Sequence, residues 1–314
     1  VMAVLAVSIP LHLIYIAGTY FLEAIKKPGI STVVMWIANG VNLALNLWWV
    51  PEHGAVGSAW ATVGARVFLA VAILACIWFL RDGKTYGVRA WGKEGPSYRA
   101  LLGVGVAAAV SQAVEAGAFS AMTVIAGRIS ADVVAGYQIL LNVMALVFMV
   151  ALGMGAASAV LVSEAIGRRA PADAARAGWT GLGLNTIGML IAAVLILVFA
   201  APIGRAYTAN VELAALIASM MWVCALVLAP DGGQVVAASA LRARGDNWFP
   251  TFSHILSYAV VMPVLGFWLA EREGMGVAGL VLAIFWSSVL SVSILLARWW
   301  ALTRSSALPD ASDA

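Results

Sequence analysis

The 314-residue chain is 63% hydrophobic and only 11% charged, with a mean hydropathy of +0.97. Soluble domains carry about a quarter charged residues, so a soluble globular domain is excluded and lipid must be the main solvent. The net charge of +3 would suit an acidic partner, but most basic residues sit in loops between apolar runs, which reads as membrane topology and not as nucleic-acid binding.

Apolar runs long enough to cross a hydrocarbon core of about 30 Å recur along nearly the whole chain. A run such as Ile187 to Ala201 does not alternate apolar and polar residues, so the spans read as helices and not as strands of a β-barrel. Val1 lies inside an apolar stretch with no charged leader, so no signal peptide is visible and the beginning reads as cut off. Nine spans follow, at about 1–22, 29–50, 55–80, 100–127, 133–163, 178–204, 211–241, 251–270 and 275–298.

Lysines and arginines test this order, because cytoplasmic loops are enriched in them. One side carries Lys26 and Lys27; Arg81, Lys84, Arg89, Lys93 and Arg99; Arg168, Arg169 and Arg176; Arg242 and Arg244; and Arg298 and Arg304. The other carries only Arg128, Arg205 and Arg272. The bias puts the C-terminus in the cytoplasm, and the polar segment 81–99 reads as a cytoplasmic linker.

The chain also matches itself. Shifted by 222 residues, Gly54, Ala55, Val56 and Gly57, with Ala61, fall on Gly276, Val277, Ala278 and Gly279, with Ala283, and Pro28 falls on Pro250. Six spans separate the matched elements, an even number, so the copies share one orientation and form a parallel repeat. The second copy is complete and the first has only its last three spans. The missing start would lie about 125 residues before Val1, giving a parent with two six-span lobes. The expected organisation is therefore 1–80 as the last three helices of a first lobe, 81–99 as the linker, 100–300 as a complete six-helix second lobe, and 301–314 as a disordered cytoplasmic tail.

Ionisable groups at bilayer depth cost roughly 2.5–3.5 kcal/mol by insertion scales and mark function by default. Glu115 has Ser111 and Gln112 one turn before it on the fourth span, which gives that helix a polar patch. Asp231 has Gln234 at i+3, and it sits between Pro230 and the pair Gly232 and Gly233. That setting predicts a hinge in the seventh span and a carbonyl at Leu226 freed from its usual donor. A carboxylate beside a freed carbonyl suits a small hard cation, so Na⁺ at Glu115 and Asp231 is one expectation. Gln138 and Asn142, at i and i+4 on the fifth span, either complete a polar interior or fix helix packing. Arg66 has three readings: it snorkels, pairs with an acid outside this chain, or lines the cavity.

Cys76 and Cys224 lie inside apolar spans and imply neither disulfide nor metal site. His12 and His254 have no partner at metal-ligand spacing, and no phosphate-binding Gly-x-x-x-x-Gly-Lys-Ser/Thr loop is present.

Four stretches resemble the multidrug and toxic compound extrusion (MATE) transporters, most closely the NorM-like branch: Gly54 to Arg66, Glu115 to Ser120, Gly136 to Asn142 with the Leu-Val-Phe-Met that follows, and Asp231 to Asp246. The resemblance spans essentially the whole chain. It implies an all-α polytopic membrane fold of the MOP superfamily, two six-helix lobes around a central cavity, truncated here at the N-terminus to nine transmembrane helices. It also implies an inner-membrane antiporter exporting organic cations in exchange for Na⁺ or H⁺, with Glu115 and Asp231 as the coupling acids. Two departures stand out. Val227 occupies a position where NorM-type members often carry tyrosine, and Gly136, Tyr137 and Gln138 replace the usual Ala-His-Gln.

The expected function is thus a cation-coupled drug antiporter, a multi-pass inner-membrane protein and monomer that meets lipids and small organic cations, no nucleic acid, and no cofactor beyond the coupling ion. The alternative is a flippase for lipid-linked oligosaccharide or cell-wall precursor, which would want more basic residues at depth. An enzyme is not expected, because no nucleophile–base pair or metal cluster lies within the spans.

Overall fold

The computed structural model describes residues 1–88 and 98–305. Among them every regular element is a helix. The chain forms two compact units, Val1–Pro96 and Ser97–Ala314.

Unit 1 holds α1 (Met2–Val7), α2 (Ile9–Ala24) and α3 (Pro28–Trp78). The predicted first span is two helices because Pro10 has no N–H to return to the carbonyl of Ala6, and the chain turns at Ser8. At 51 residues, α3 would measure about 77 Å if straight, more than twice the apolar thickness it has to cross. It is bent into two spans at Gly54, whose φ of 53° and ψ of −135° interrupt the helix in a region that favours glycine. The halves lie against each other. A Cβ on Gly57 would sit 2.5 Å from the Trp49 carbonyl oxygen, and one on Gly64 would sit 2.7 Å from Leu45 Cδ1.

Unit 2 comprises α4 (Tyr98–Ile129), α5 (Ala131–Gly167), α6 (Pro171–Val198), α7 (Ala200–Tyr207), α8 (Val211–Ala243), a run from Trp248 to Arg272, and α11 (Gly276–Ser305). Ser130 caps α5 by accepting from the Val133 N–H, and Asn210 caps α8 by accepting from Glu212 and Leu213. The predicted sixth span starts earlier, at Pro171, and breaks at Phe199, because Pro202 cannot donate to the Val198 carbonyl. The core centres on α8, which packs on α5, α6, α7 and α11. Its Met221, Cys224 and Val227 are sealed with Met189, Leu140 and Ile284.

The run from Trp248 to Arg272 is α9 (Trp248–His254), a π-helical stretch (Ile255–Val261), α10 (Met262–Gly266) and a second π-helical stretch (Phe267–Arg272). Pro263 lies inside it and cannot bond to the carbonyl of Ala259, a recognised cause of helix irregularity.

Among the described residues seven helices are long and apolar enough to cross a membrane, and the chain is a multi-pass membrane protein. Counting α3 as two crossings and α1 with α2 as one, each of the nine predicted spans is occupied by helix. Side chains such as Leu190, Ile191 and Val194 are exposed, as a lipid-facing surface requires.

The 222-residue repeat has a conformational counterpart in each unit. Gly276 has a φ of 54°, as Gly54 has 53°. A Cβ on Gly279 would sit 2.6 Å from the Ala270 nitrogen, as one on Gly57 would meet the backbone of Trp49. In both copies the first glycine turns the chain and the fourth residue lets the new helix touch the backbone of the old one.

Two expected boundaries change. Tyr98 already opens α4, so 98–99 belong to that helix, whereas 81–88 form turns and 89–97 lie outside the described residues. The tail does not start at 301, since α11 continues to Ser305; 306–314 lie outside the described residues. Helix α8 continues through Pro230, Gly232 and Gly233. The loss of one proline bond does not interrupt a helix so closely packed on its neighbours. Its glycines serve close approach: a Cβ on Gly232 would lie 2.9 Å from Asn185 Nδ2, and one on Gly233 would lie 3.1 Å from Val292 Cγ2.

Candidate functional site

Inside unit 2, α4 and α8 bring Glu115 and Asp231 to one cavity of about 230 Å³, walled by Phe119 of α4 and by Leu141, Met144, Ala145 and Phe148 of α5. The two carboxylates repel each other across it, and Arg242 of α8 attracts Glu115. Asp231 is buried, at 8% exposure. Its Oδ1 accepts from Ser288 Oγ at 3.0 Å and from Tyr258 OH at 3.2 Å, and the two hydroxyls stand 3.1 Å apart. Tyr258 comes from the first π-helical stretch and Ser288 from α11, so three elements converge on one carboxylate oxygen. These donors replace part of the hydration that a buried carboxylate gives up.

A second polar cluster adjoins this one. Arg242 Nη2 donates to Ser111 Oγ at 2.9 Å, and Ser111 Oγ lies 2.6 Å from His254 Nδ1. Guanidinium can only donate, so Ser111 Oγ accepts from Arg242, and with one donor and a second acceptor site left the hydroxyl pairs with Nδ1 in either histidine tautomer. The His254 ring meets the Tyr258 ring edge-on, with centroids 5.6 Å apart. Polar groups thus run from Asp231 through Tyr258, His254 and Ser111 to Arg242. Gln234, one turn after Asp231, is buried against that carboxylate, and Asn185 of α6 is buried with both amide atoms lacking a protein partner among the described residues. Leaving such groups unmatched costs about 1–3 kcal/mol each, so the interior around Asp231 is built to accept water or an ion.

The remaining candidates lie elsewhere. Gln112 is exposed on α4 and does not line the cavity. Gln138 is exposed and donates from Nε2 to Thr123 Oγ1 at 3.1 Å, while Asn142 Oδ1 accepts from Tyr207 OH at 2.6 Å. Of its open readings, the packing role is the one these two amides display. Arg66, in unit 1, donates from Nη1 to Ser8 Oγ at 2.7 Å and ties α3 to the break between α1 and α2. Sequence reasoning missed Tyr258, Ser288, Asn185 and the His254 cluster. The available signal was a run of serines, Ser287, Ser288 and Ser291, within an apolar helix. Among the described residues no group of three or more His, Cys, Asp or Glu is placed to hold a metal ion. Two carboxylates with neighbouring hydroxyls form an all-oxygen donor set, the kind a hard monovalent cation accepts.

Comparison with known proteins agrees with this architecture. The structure is similar to a crystal structure of MATE in complex with MaL6 (TM-score 0.84, 17% identity, covering 93% of this chain and 66% of that one). It is also similar to an outward-facing multidrug resistance MATE family transporter of the MOP superfamily (TM-score 0.83, 17% identity, 92% and 65%). In sequence it is 40% identical over 304 residues to the probable multidrug resistance protein NorM of Caulobacter vibrioides, covering 94% of this chain but 64% of that protein. The chain thus spans just under two thirds of the length of that relative. The MatE family model matches residues 107–268, which include Glu115, Asp231, His254 and Tyr258, and the chain belongs to the MatE family.

Proposed function

We propose that the protein works in cation-coupled export of organic cations, with Glu115 and Asp231 holding the coupling ion, Na⁺ or H⁺. The observation that carries this reading is that both acids, far apart in sequence, line one cavity in unit 2 whose lining includes no basic residue. At about 230 Å³ the cavity is smaller than the roughly 300–1,000 Å³ typical of drug-sized ligands, yet it has room for an ion with several waters at about 30 Å³ each. It is therefore the ion site, and the cargo binds elsewhere. Two carboxylates in a low-dielectric site do not both stay ionised cheaply, so a proton or a metal cation between them stores the driving ion. Export follows where ion and cargo prefer different conformations, since a ligand shifts an equilibrium only by its differential affinity.

The distribution of lysine and arginine supports placement in the cytoplasmic membrane with the C-terminus inside. The paired glycine geometry supports the reading of 1–80 and 100–300 as parts of two like lobes. The test is ethidium efflux from proteoliposomes under an imposed Na⁺ or H⁺ gradient. Glu115→Gln and Asp231→Asn should each abolish gradient-driven efflux with helix content intact, and parental rates in both would overturn the assignment.

A further inference from the structure

A second cavity in unit 2 lies apart from the carboxylate site. It is a groove of about 360 Å³ between α5 and α6. Its walls are apolar, with Met154 and Leu161 on one side and Ala177 and Leu184 on the other. Leu161 and Leu184 are 48% and 55% exposed, so the chain itself leaves them uncovered. Gly181 sets the floor, because its missing side chain lets Ser158 of α5 lie directly against α6.

The groove has the length of one lipid leaflet. From Met154 to Arg168 the helical rise is about 21 Å, and from Asp173 to Leu184 about 17 Å. Half of a hydrocarbon core is about 15 Å, which leaves a few ångströms at the charged end for a headgroup. That end is lined by Arg168, Asp173, Arg176 and Glu164. Asp173 stands 3.9 Å from both Arg168 Nη2 and Arg176 Nη1. That exceeds hydrogen-bond distance, so both guanidinium groups keep donors for another acceptor.

A carboxylate set between two guanidinium groups suits a dipolar headgroup, with its phosphate on the arginines and its cation on Asp173. A primary ammonium donates charge-assisted hydrogen bonds to a carboxylate, whereas a quaternary ammonium has no N–H to donate. We propose that this groove is a binding site for a single ethanolamine-type aminophospholipid, its acyl chain between α5 and α6 and its headgroup among Arg168, Asp173 and Arg176. The site depends on the membrane-spanning fold alone and not on the transport reading.

The test offers the protein equal amounts of phosphatidylethanolamine, phosphatidylcholine and phosphatidylglycerol with identical acyl chains in nanodiscs. Lipid retained after extraction is then identified by native mass spectrometry. Phosphatidylethanolamine should be retained about tenfold over the other two. Asp173→Asn should erase its advantage over phosphatidylcholine, and Arg168→Gln combined with Arg176→Gln should lose all three. A groove-filling Ala177→Leu should also lose all three while leaving every headgroup side chain in place. Retained lipid that mirrors the supplied mixture, enrichment of phosphatidylglycerol in the parental protein, or an unchanged preference in Asp173→Asn would each overturn the proposal.

Discussion

Replacing Gly279 with alanine probes the feature on which the repeat rests. The added Cβ would lie 2.6 Å from the Ala270 nitrogen and from the Leu269 carbonyl carbon, against an ordinary contact of about 3.5–4.0 Å. Both atoms are backbone, so no rotamer change relieves the clash, and α11 must move out by about 1 Å. Overpacking of this kind costs about 1–3 kcal/mol, and the upper end applies where nothing can rotate away. The better helix propensity of alanine returns about 1 kcal/mol, which leaves a net loss near 2 kcal/mol. Gly153 on α5 has nothing within 4 Å of its would-be Cβ, so Gly153→Ala should gain about 1 kcal/mol. The two variants should differ by about 3 kcal/mol. Gly57→Ala, facing the Trp49 carbonyl at 2.5 Å, should behave like Gly279→Ala. Stability is measurable from the loss of helical circular dichroism on titrating mixed micelles with sodium dodecyl sulfate. Equal stability of Gly279→Ala and Gly153→Ala would refute the close-approach argument, and a drop at Gly279 without one at Gly57 would refute the equivalence of the copies.

Ser288→Ala removes one of the two hydroxyl donors on Asp231; a hydrogen bond to a charged group is worth about 1.5–3 kcal/mol, so gradient-driven efflux should fall at least tenfold while Ser293→Ala, whose hydroxyl bonds only to the Val289 carbonyl, stays at the parental rate. His254→Gln keeps a polar partner for Ser111 and should retain the fold, whereas His254→Leu leaves the buried Ser111 hydroxyl with Arg242 alone and should unfold at lower denaturant. Gly178→Ala, whose Cβ would run into the Trp299 indole, should displace Trp299 and redden its emission. Lys27 is held above its ordinary value by its hydrogen bond to Asp82, so this pairing is intact below the usual lysine range and is lost as pH rises through the elevated value; ¹⁵N-lysine spectra of Asp82→Asn should show Lys27 titrating lower than in the parent.

How much was legible depends on whether a constraint is written in residue type or in orientation. The paired glycines were legible because a φ near +54° and a backbone contact below 3 Å both exclude a Cβ, so the same residue must recur in each copy. Glu115 and Asp231 were legible because few other reasons place carboxylates in apolar helices. Ser288 was not, since a serine in such a helix ordinarily bonds back to its own carbonyls, as Ser293 and Thr186 do here. Gln138 and Asn142 do share a face, as their spacing indicated. The cavity, however, is lined by Leu141, Met144, Ala145 and Phe148, about a quarter of a turn away around α5. Periodicity identifies a stripe and not the direction in which it points. Pro230 and two glycines weaken an isolated helix, yet α8 continues as helix through them, packed on α5, α6, α7 and α11.

The π-helical stretches bear on how such a protein tolerates insertions and deletions. A turn closed by i to i+5 bonds carries one residue more than an α-turn, so the run from Trp248 to Arg272 holds surplus residues. Removing one residue from Ile255–Val261 would let that stretch relax to α-helix without shortening the membrane crossing by a full α-helical rise, whereas the same deletion in α8 would rotate everything beyond it by about 100°. The surplus sits in the helix that carries Tyr258 and His254. Passing the extra residue one step along the chain would swing Tyr258 away from Asp231 with no rigid-body movement of the helix, leaving the carboxylate with one hydroxyl donor, Ser288.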